Sequence, residues 1–155
     1  MLDPQKFLTV IEATPLVSID LLVRNASGQI LLGKRLNRPA QGFWFVPGGR
    51  IRKNELVQNA LQRISSVELG FPIQQADLVG VFDHIYDDNF ANVSGINTHY
   101  VVLGFQITVA DSTRFLGDAQ HGELKWWSVA DAAQNGEVHA NTRKYLELPP
   151  GAKDS

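Results

Sequence analysis

Glu68 places a carboxylate on the apolar side of a helical segment. Projected at about 100° per residue, Val57, Ala60, Leu61, Ile64 and Val67 gather on one face, flanked by Leu56 and Leu69. Asn59, Gln62, Arg63 and Ser66 take the opposite face, with Gln58 and Ser65 at its edge. Burying an unpaired carboxylate is costly, so Glu68 either meets a cation or strong donor or, at the last turn, snorkels into water. Upstream, Pro47-Gly48-Gly49-Arg50 reads as a tight turn. Its other reading is a glycine loop whose backbone carbonyls approach a metal where side chains would obstruct. Arg35, Arg38, Arg50 and Arg52 flank the aromatic run 43–46. Arginine suits bidentate phosphate recognition, although surface arginines are also common. Asp20 interrupts the apolar run 16–23, where a carboxylate needs a partner. Glu55, on the polar face, is expected to pair with Arg63. His121 lies in G-D-A-Q-H-G. A loop histidine is usually just solvated, but beside a metal it could take a proton from water near neutral pH.

These groups need a scaffold, and the chain reads as alternating strands and helices without repeats. Segments 16–24 and 29–35 are apolar strands joined by the turn N-A-S-G. A short aromatic strand at 43–46 stops at Pro47. Asn54 is expected to N-cap the following helix, with Gly70 and Pro72 closing it. Segments 79–85 and 99–109 read as long strands, separated by the polar loop Y-D-D-N-F-A-N-V-S-G-I-N, of a length that tends to be functional. Segment 124–127 is a further strand, and 129–134 and 141–148 are short helices. Phe7 sits in a first amphipathic segment, where it is equally suited to a core. The tail 149–155 reads as frayed. Pattern alone carries the fold class to α/β, a mixed sheet with flanking helices.

The stretch 49–71 resembles the Nudix box, G-x5-E-x7-R-E-U-x-E-E-x-G-U, where U is a bulky aliphatic. Gly49, Glu55, Arg63, Glu68 and Gly70 fall in register. Ile64 and Val67 replace metal-binding glutamates, and Ser65 replaces an aliphatic. Those departures match one branch, the GDP-mannose mannosyl hydrolases. T-P-L-V-S-I-D, L-L-G-K-R-L-N-R-P-A-Q-G-F-W-F-V-P-G-G-R, D-D-N-F, T-H-Y-V-V-L-G-F, Gln120–His121 and V-H-A-N-T-R extend the likeness over nearly the whole chain.

The resemblance implies a Nudix α/β/α sandwich, with residues 1–155 forming a single hydrolase domain. It implies hydrolysis of GDP-mannose, with GDP-glucose also in range, to GDP and free sugar, with water attacking the anomeric carbon and inverting it. The metal would be one Mg²⁺ per subunit, replaceable by Mn²⁺, held by the Gly48 carbonyl, Glu68 and Gln120. Arg35 and Arg50 would neutralise the leaving diphosphate, with Tyr100 as a hydrogen-bond donor to it. His121 would be the general base, and His84 a secondary site residue. Asp20 would orient the sugar or an arginine. Leu2 and Phe7 resemble positions that contact nucleotide. Relatives of this branch form homodimers.

Composition admits this reading without selecting it. Hydrophobic content of 44% and a net charge of −2 suggest neither disorder nor a nucleic-acid-binding surface. No apolar run reaches the roughly 18–20 residues that span a bilayer. M-L-D-P-Q-K-F lacks the layout of a signal peptide, and zero cysteines exclude disulfides and thiolate metal sites. The expectation is a cytoplasmic enzyme acting on a small nucleotide-sugar substrate, with no nucleic-acid or membrane partner.

Overall fold

The computed structural model describes residues 2–115 and 121–148, with 121 and 122 described by backbone alone. The elements run α1 (Pro4–Ala13), β1 (Leu16–Asn25), β2 (Ile30–Arg35), β3 (Trp44–Phe45), β4 (Gly48–Arg50), α2 (Val57–Leu69), β5 (Asp77–Tyr86), β6 (Thr98–Val109), β7 (His121–Trp127), α3 (Val129–Gln134) and α4 (Ala140–Tyr145). They build one mixed sheet in the order β3-β2-β1-β6-β5, with β4 on β1 and β7 on β2. β1 and β6 run parallel over ten residue pairs, Leu16↔Tyr100 to Asn25↔Val109. The remaining pairings are antiparallel.

β1 is covered on both faces, and residue parity decides what each side meets. Ile19, Leu21 and Val23 pack with Ala60, Leu61 and Ile64 of α2. Leu22 points the other way, into a core with Trp44, Trp127, Ala132, Val138 and Tyr145 under α3 and α4. Ser18 and Asp20 share the parity of Leu22, so Asp20 faces the α4 side. Helices on both faces make an α/β/α sandwich. Among the described residues no helix is long and apolar enough to cross a membrane.

Three local readings change. Residues 48–50 form a strand on β1, not merely a turn. Asn54 does not cap α2: its φ is +66°, and the N-cap is Leu56, without a side-chain bond. Glu55 turns back to accept the Arg52 N–H at 3.0 Å, which delays the helix until Val57. Ser65, expected at the edge of the polar face, is fully buried. It donates to Leu61 O at 2.7 Å and accepts the Ile73 N–H at 2.7 Å, so it ties the chain after α2 back onto the helix. That bond explains a polar residue at an aliphatic box position. α2 itself ends as expected, at Gly70 with φ +90°.

Candidate active site

A cavity of about 700 Å³ opens beside β4 and α2. β1 contributes Ser18 and Asp20 to its wall, β2 Arg35, β4 Gly48 to Arg50, α2 Ile64, Val67 and Glu68, β5 His84 and Tyr86, and β6 Tyr100. α1 closes one side with Phe7 and Ile11, and Leu2 lies just before it. Of the expected site residues, Leu2, Phe7, Asp20, Arg35, Gly48, Arg50, Glu68, His84 and Tyr100 therefore line one pocket. Gln120 lies outside the described residues. The His121 backbone pairs with Arg35 across the β2–β7 ladder, so the chain brings it to the strand that carries this arginine.

The end of the cavity where Gly48 and Glu68 lie is built by β4 and α2. Leu21 N–H donates to Pro47 O at 2.8 Å and Ile51 N–H to Val17 O at 2.8 Å. In an antiparallel ladder these bonded pairs alternate with non-bonded ones. The Gly48↔Asp20 pair is therefore of the non-bonded kind, and the Gly48 carbonyl turns away from β1. A Cβ on Gly48 would collide with Ile19 O and crowd Asp20 Oδ1. Only glycine permits this approach. Glu68 is buried, with 1% of its surface exposed, so the snorkelling reading does not hold. A carbonyl directed off its ladder and a buried carboxylate are oxygen donors that fit a hard divalent cation. Among the described residues no group of three or more His, Asp or Glu side chains gathers as a metal centre. Val67 is 54% exposed because its side of α2 meets the pocket rather than the core.

Glu55 stays outside this set. It accepts from Arg63 Nε at 2.7 Å and Nη2 at 2.9 Å, as expected of an ion pair. Arg63 Nη2 also donates to Arg50 O at 2.8 Å, which ties β4 to α2. The Arg63 hydrogen bond holds the Glu55 carboxyl down at about 2.

The cationic wall is organised by aromatics. Arg35 sits over the Phe45 ring at 5.3 Å and Arg50 over the Phe7 ring at 4.9 Å. Burial raises the Tyr100 pKa, opposed by the charges of Arg35 and Arg50, so both arginines act on one phenol. Burial pushes the Tyr86 phenol up to about 12 and the Asp20 carboxyl up to about 6, while Tyr145 and Arg35 pull Asp20 back. Burial also lowers His84 to about 4, which leaves it neutral at neutral pH.

The long loop between β5 and β6 contributes Phe90 to the cavity wall. Buried Asn89 braces it, donating to Val93 O at 2.9 Å and Ile96 O at 2.7 Å and accepting the Ala91 and Val93 N–H groups. Phe90 thereby reaches the Phe7 ring, 5.1 Å away. Arg38 meets Asp88 of this loop at 3.3 Å. His99 pairs with exposed Asp83 at 3.0 Å, and His139 caps α4 by accepting the Asn141 N–H at 3.1 Å. Tyr86, Phe90 and Tyr145 were not singled out in the sequence. Tyr86 and Phe90 carried a signal, aromatic residues in a mostly polar stretch. Tyr145, which donates to Asp20 at 2.7 Å, carried none beyond its place in a short helix.

Residues 14–148 match the NUDIX domain family. The chain is 39% identical over 139 residues to the low-salt glycan biosynthesis protein Agl8 of Haloferax volcanii, covering 89% of this chain and 84% of that one. Among solved structures, a MutT NUDIX hydrolase from Burkholderia pseudomallei is similar with a TM-score of 0.69 and 29% identity, over 86% of this chain and 97% of that one. The MutT protein from Methanosarcina mazei Go1 shares the fold with a TM-score of 0.68 at 21% identity, over 87% of this chain and 93% of that one.

Proposed function

The chain belongs to the Nudix family, and we infer that within it the protein hydrolyses a GDP-sugar, GDP-mannose in the first instance, to GDP and free sugar. The observation that carries this reading is the convergence of Arg35 and Arg50 on Tyr100, with Asp20 and His84 in the wall of the same pocket. Two cations and a phenol suit a diphosphate, and a carboxylate with a neutral imidazole suits the hydroxyls of a sugar. A glycan biosynthesis protein among the relatives agrees with a sugar-bearing substrate.

In this reading Arg35 and Arg50 take up the negative charge that grows on the diphosphate as the glycosidic bond breaks. Tyr100 donates a hydrogen bond to the same group. His121 removes a proton from water on the opposite face of the sugar, as the base does in inverting glycoside hydrolysis. GDP leaves without being protonated, so one base suffices. Gly48, Glu68 and Gln120 would hold Mg²⁺, which when bound supplies Lewis-acid stabilisation of the leaving group. Phe7, under Arg50 and against Phe90, supports the nucleotide end.

Reaction of GDP-mannose in heavy-oxygen water tests the reading. The expected products are labelled free sugar, initially the β-anomer, and unlabelled GDP. Label in GMP or sugar phosphate would establish attack at phosphorus, as in a Nudix pyrophosphohydrolase. Binding without turnover would make the protein a nucleotide-sugar sensor.

A further inference from the structure

Asp20, on the central strand, has its side chain on the α4 side of the sheet. There the hydroxyl of Tyr145 approaches two groups at once, Asp20 Oδ2 at 2.7 Å and His84 Nε2 at 3.3 Å. Tyr145 is 1% exposed, and its ring stands edge-on to Phe82 with centroids 5.0 Å apart. The hydroxyl therefore cannot swing into solvent. It has one proton to give, and the carboxylate, an acceptor only, takes it through the shorter contact. The contact to His84 is then a hydrogen bond only if Nε2 carries the imidazole proton. Nδ1 of the same ring lies 3.8 Å from Asp20 Oδ2, too far for a hydrogen bond.

We propose that Tyr145 is the positioning residue of this pocket: donating to Asp20 and accepting from His84 Nε2–H, it fixes the carboxylate and holds the imidazole in the tautomer whose Nδ1 is an acceptor. The wall then carries two acceptors side by side, the Asp20 carboxylate and His84 Nδ1. Two neighbouring acceptors select a ligand part with neighbouring donors: a diphosphate has none, whereas adjacent sugar hydroxyls have them, as does the N1–H and N2–H edge of guanine. The sugar is the occupant assigned, and GDP affinity in the variant below separates the two. The inference rests on the nucleotide-sugar reading for its ligand, and on this chain's own geometry for the tautomer. α4 thus enters the chemistry of a pocket built mostly by β1, β2, β4, β5, β6 and α2.

The test uses Tyr145→Phe, which keeps the ring against Phe82 and removes only the hydroxyl. Nitrogen-15 spectra of the unliganded, histidine-labelled protein at neutral pH should show His84 protonated at Nε2 in the wild type. The variant should show a growing share of the Nδ1–H form, which can turn toward Asp20. Its turnover of GDP-mannose should fall about 10- to 10²-fold, the scale of a misplaced group, while GDP binds as tightly as before. In an Asp20→Asn background the same substitution should change turnover less than about twofold, as expected of residues acting as a unit. Protonation of wild-type His84 at Nδ1 would overturn the proposal. So would an unchanged tautomer or unchanged turnover in Tyr145→Phe, or an equal loss of GDP affinity, which would mark general damage. The spectra need no substrate. Failure of the wild type to hydrolyse GDP-mannose would thus overturn the functional reading while leaving the tautomer question decided on its own.

Discussion

Glu55→Gln separates a structural carboxylate from one that serves the reaction. Glu55 receives three hydrogen bonds, from Arg63 Nε, Arg63 Nη2 and the Arg52 N–H. Its pKa falls from an ordinary 4.5 to about 2, the Arg63 hydrogen bond being the main cause. At about 1.4 kcal/mol per pH unit, that drop caps its contribution near roughly 3 kcal/mol. The pair lies close to solvent, where screening and side-chain entropy reduce such figures, so the expected loss is about 1–2 kcal/mol. With a urea slope near ~2 kcal/mol/M, the unfolding midpoint should drop by about 0.5–1 M at pH 7. Because the folded pKa is depressed, the contribution is fully present above the unfolded value of 4.5 and is lost as pH falls toward about 2. The gap between wild type and variant should therefore close over that window. Since Arg63 also holds the Arg50 carbonyl, turnover should weaken, but by less than about tenfold. Equal midpoints at pH 7, a gap that persists at the acid end, or a larger loss of turnover than Glu68→Gln gives would refute the reasoning.

Further expectations concern the proposed site. Glu68→Gln should lower kcat by about 10²-fold or more, and chelation should abolish turnover until metal is restored; activity in excess chelator would count against the assignment. His121→Ala should cost about 10²–10⁴-fold in rate with GDP affinity intact, and a pH–rate profile unchanged by the substitution would remove His121 from the chemistry. Burial raises Asp20 from 3.8 to about 6, so the folded state holds this proton more tightly than the unfolded state does. Its contribution to stability is thus present below 3.8 and lost as pH rises through about 6, and Asp20→Asn should gain on the wild type across that window in denaturant titrations.

The local signals were strong where one segment could decide the matter. Apolar runs located β1, β2, β5 and β6 to within a few residues, because a buried strand declares itself by composition. Gly70 ended α2 as its left-handed backbone requires. The Glu55–Arg63 pair was legible because Glu55, just ahead of α2, and Arg63, on the polar face of the same helix, lie close in sequence. A carboxylate on the apolar side of that helix marked Glu68 before any pocket was known. The box spacing placed the chain in its family.

Long-range pairing decided the rest. Nothing local distinguishes Pro47-Gly48-Gly49-Arg50 as a turn from a strand; its register on β1 does, and that register directs the Gly48 carbonyl away from the sheet. Ser65 looked misplaced until Ile73 came back to use its hydroxyl. Tyr145 meets Asp20 across a sequence separation of 125 residues. Such a contact depends on the strand parity that turns Asp20 toward α4 and on the packing that seats α4 there. Hydrophobic pattern and capping act over a turn or a strand, so the sequence by itself determined elements, family and most of the residues that meet in the pocket. Which donors face which acceptors is a property of the assembled layers, and only the tertiary structure decided it.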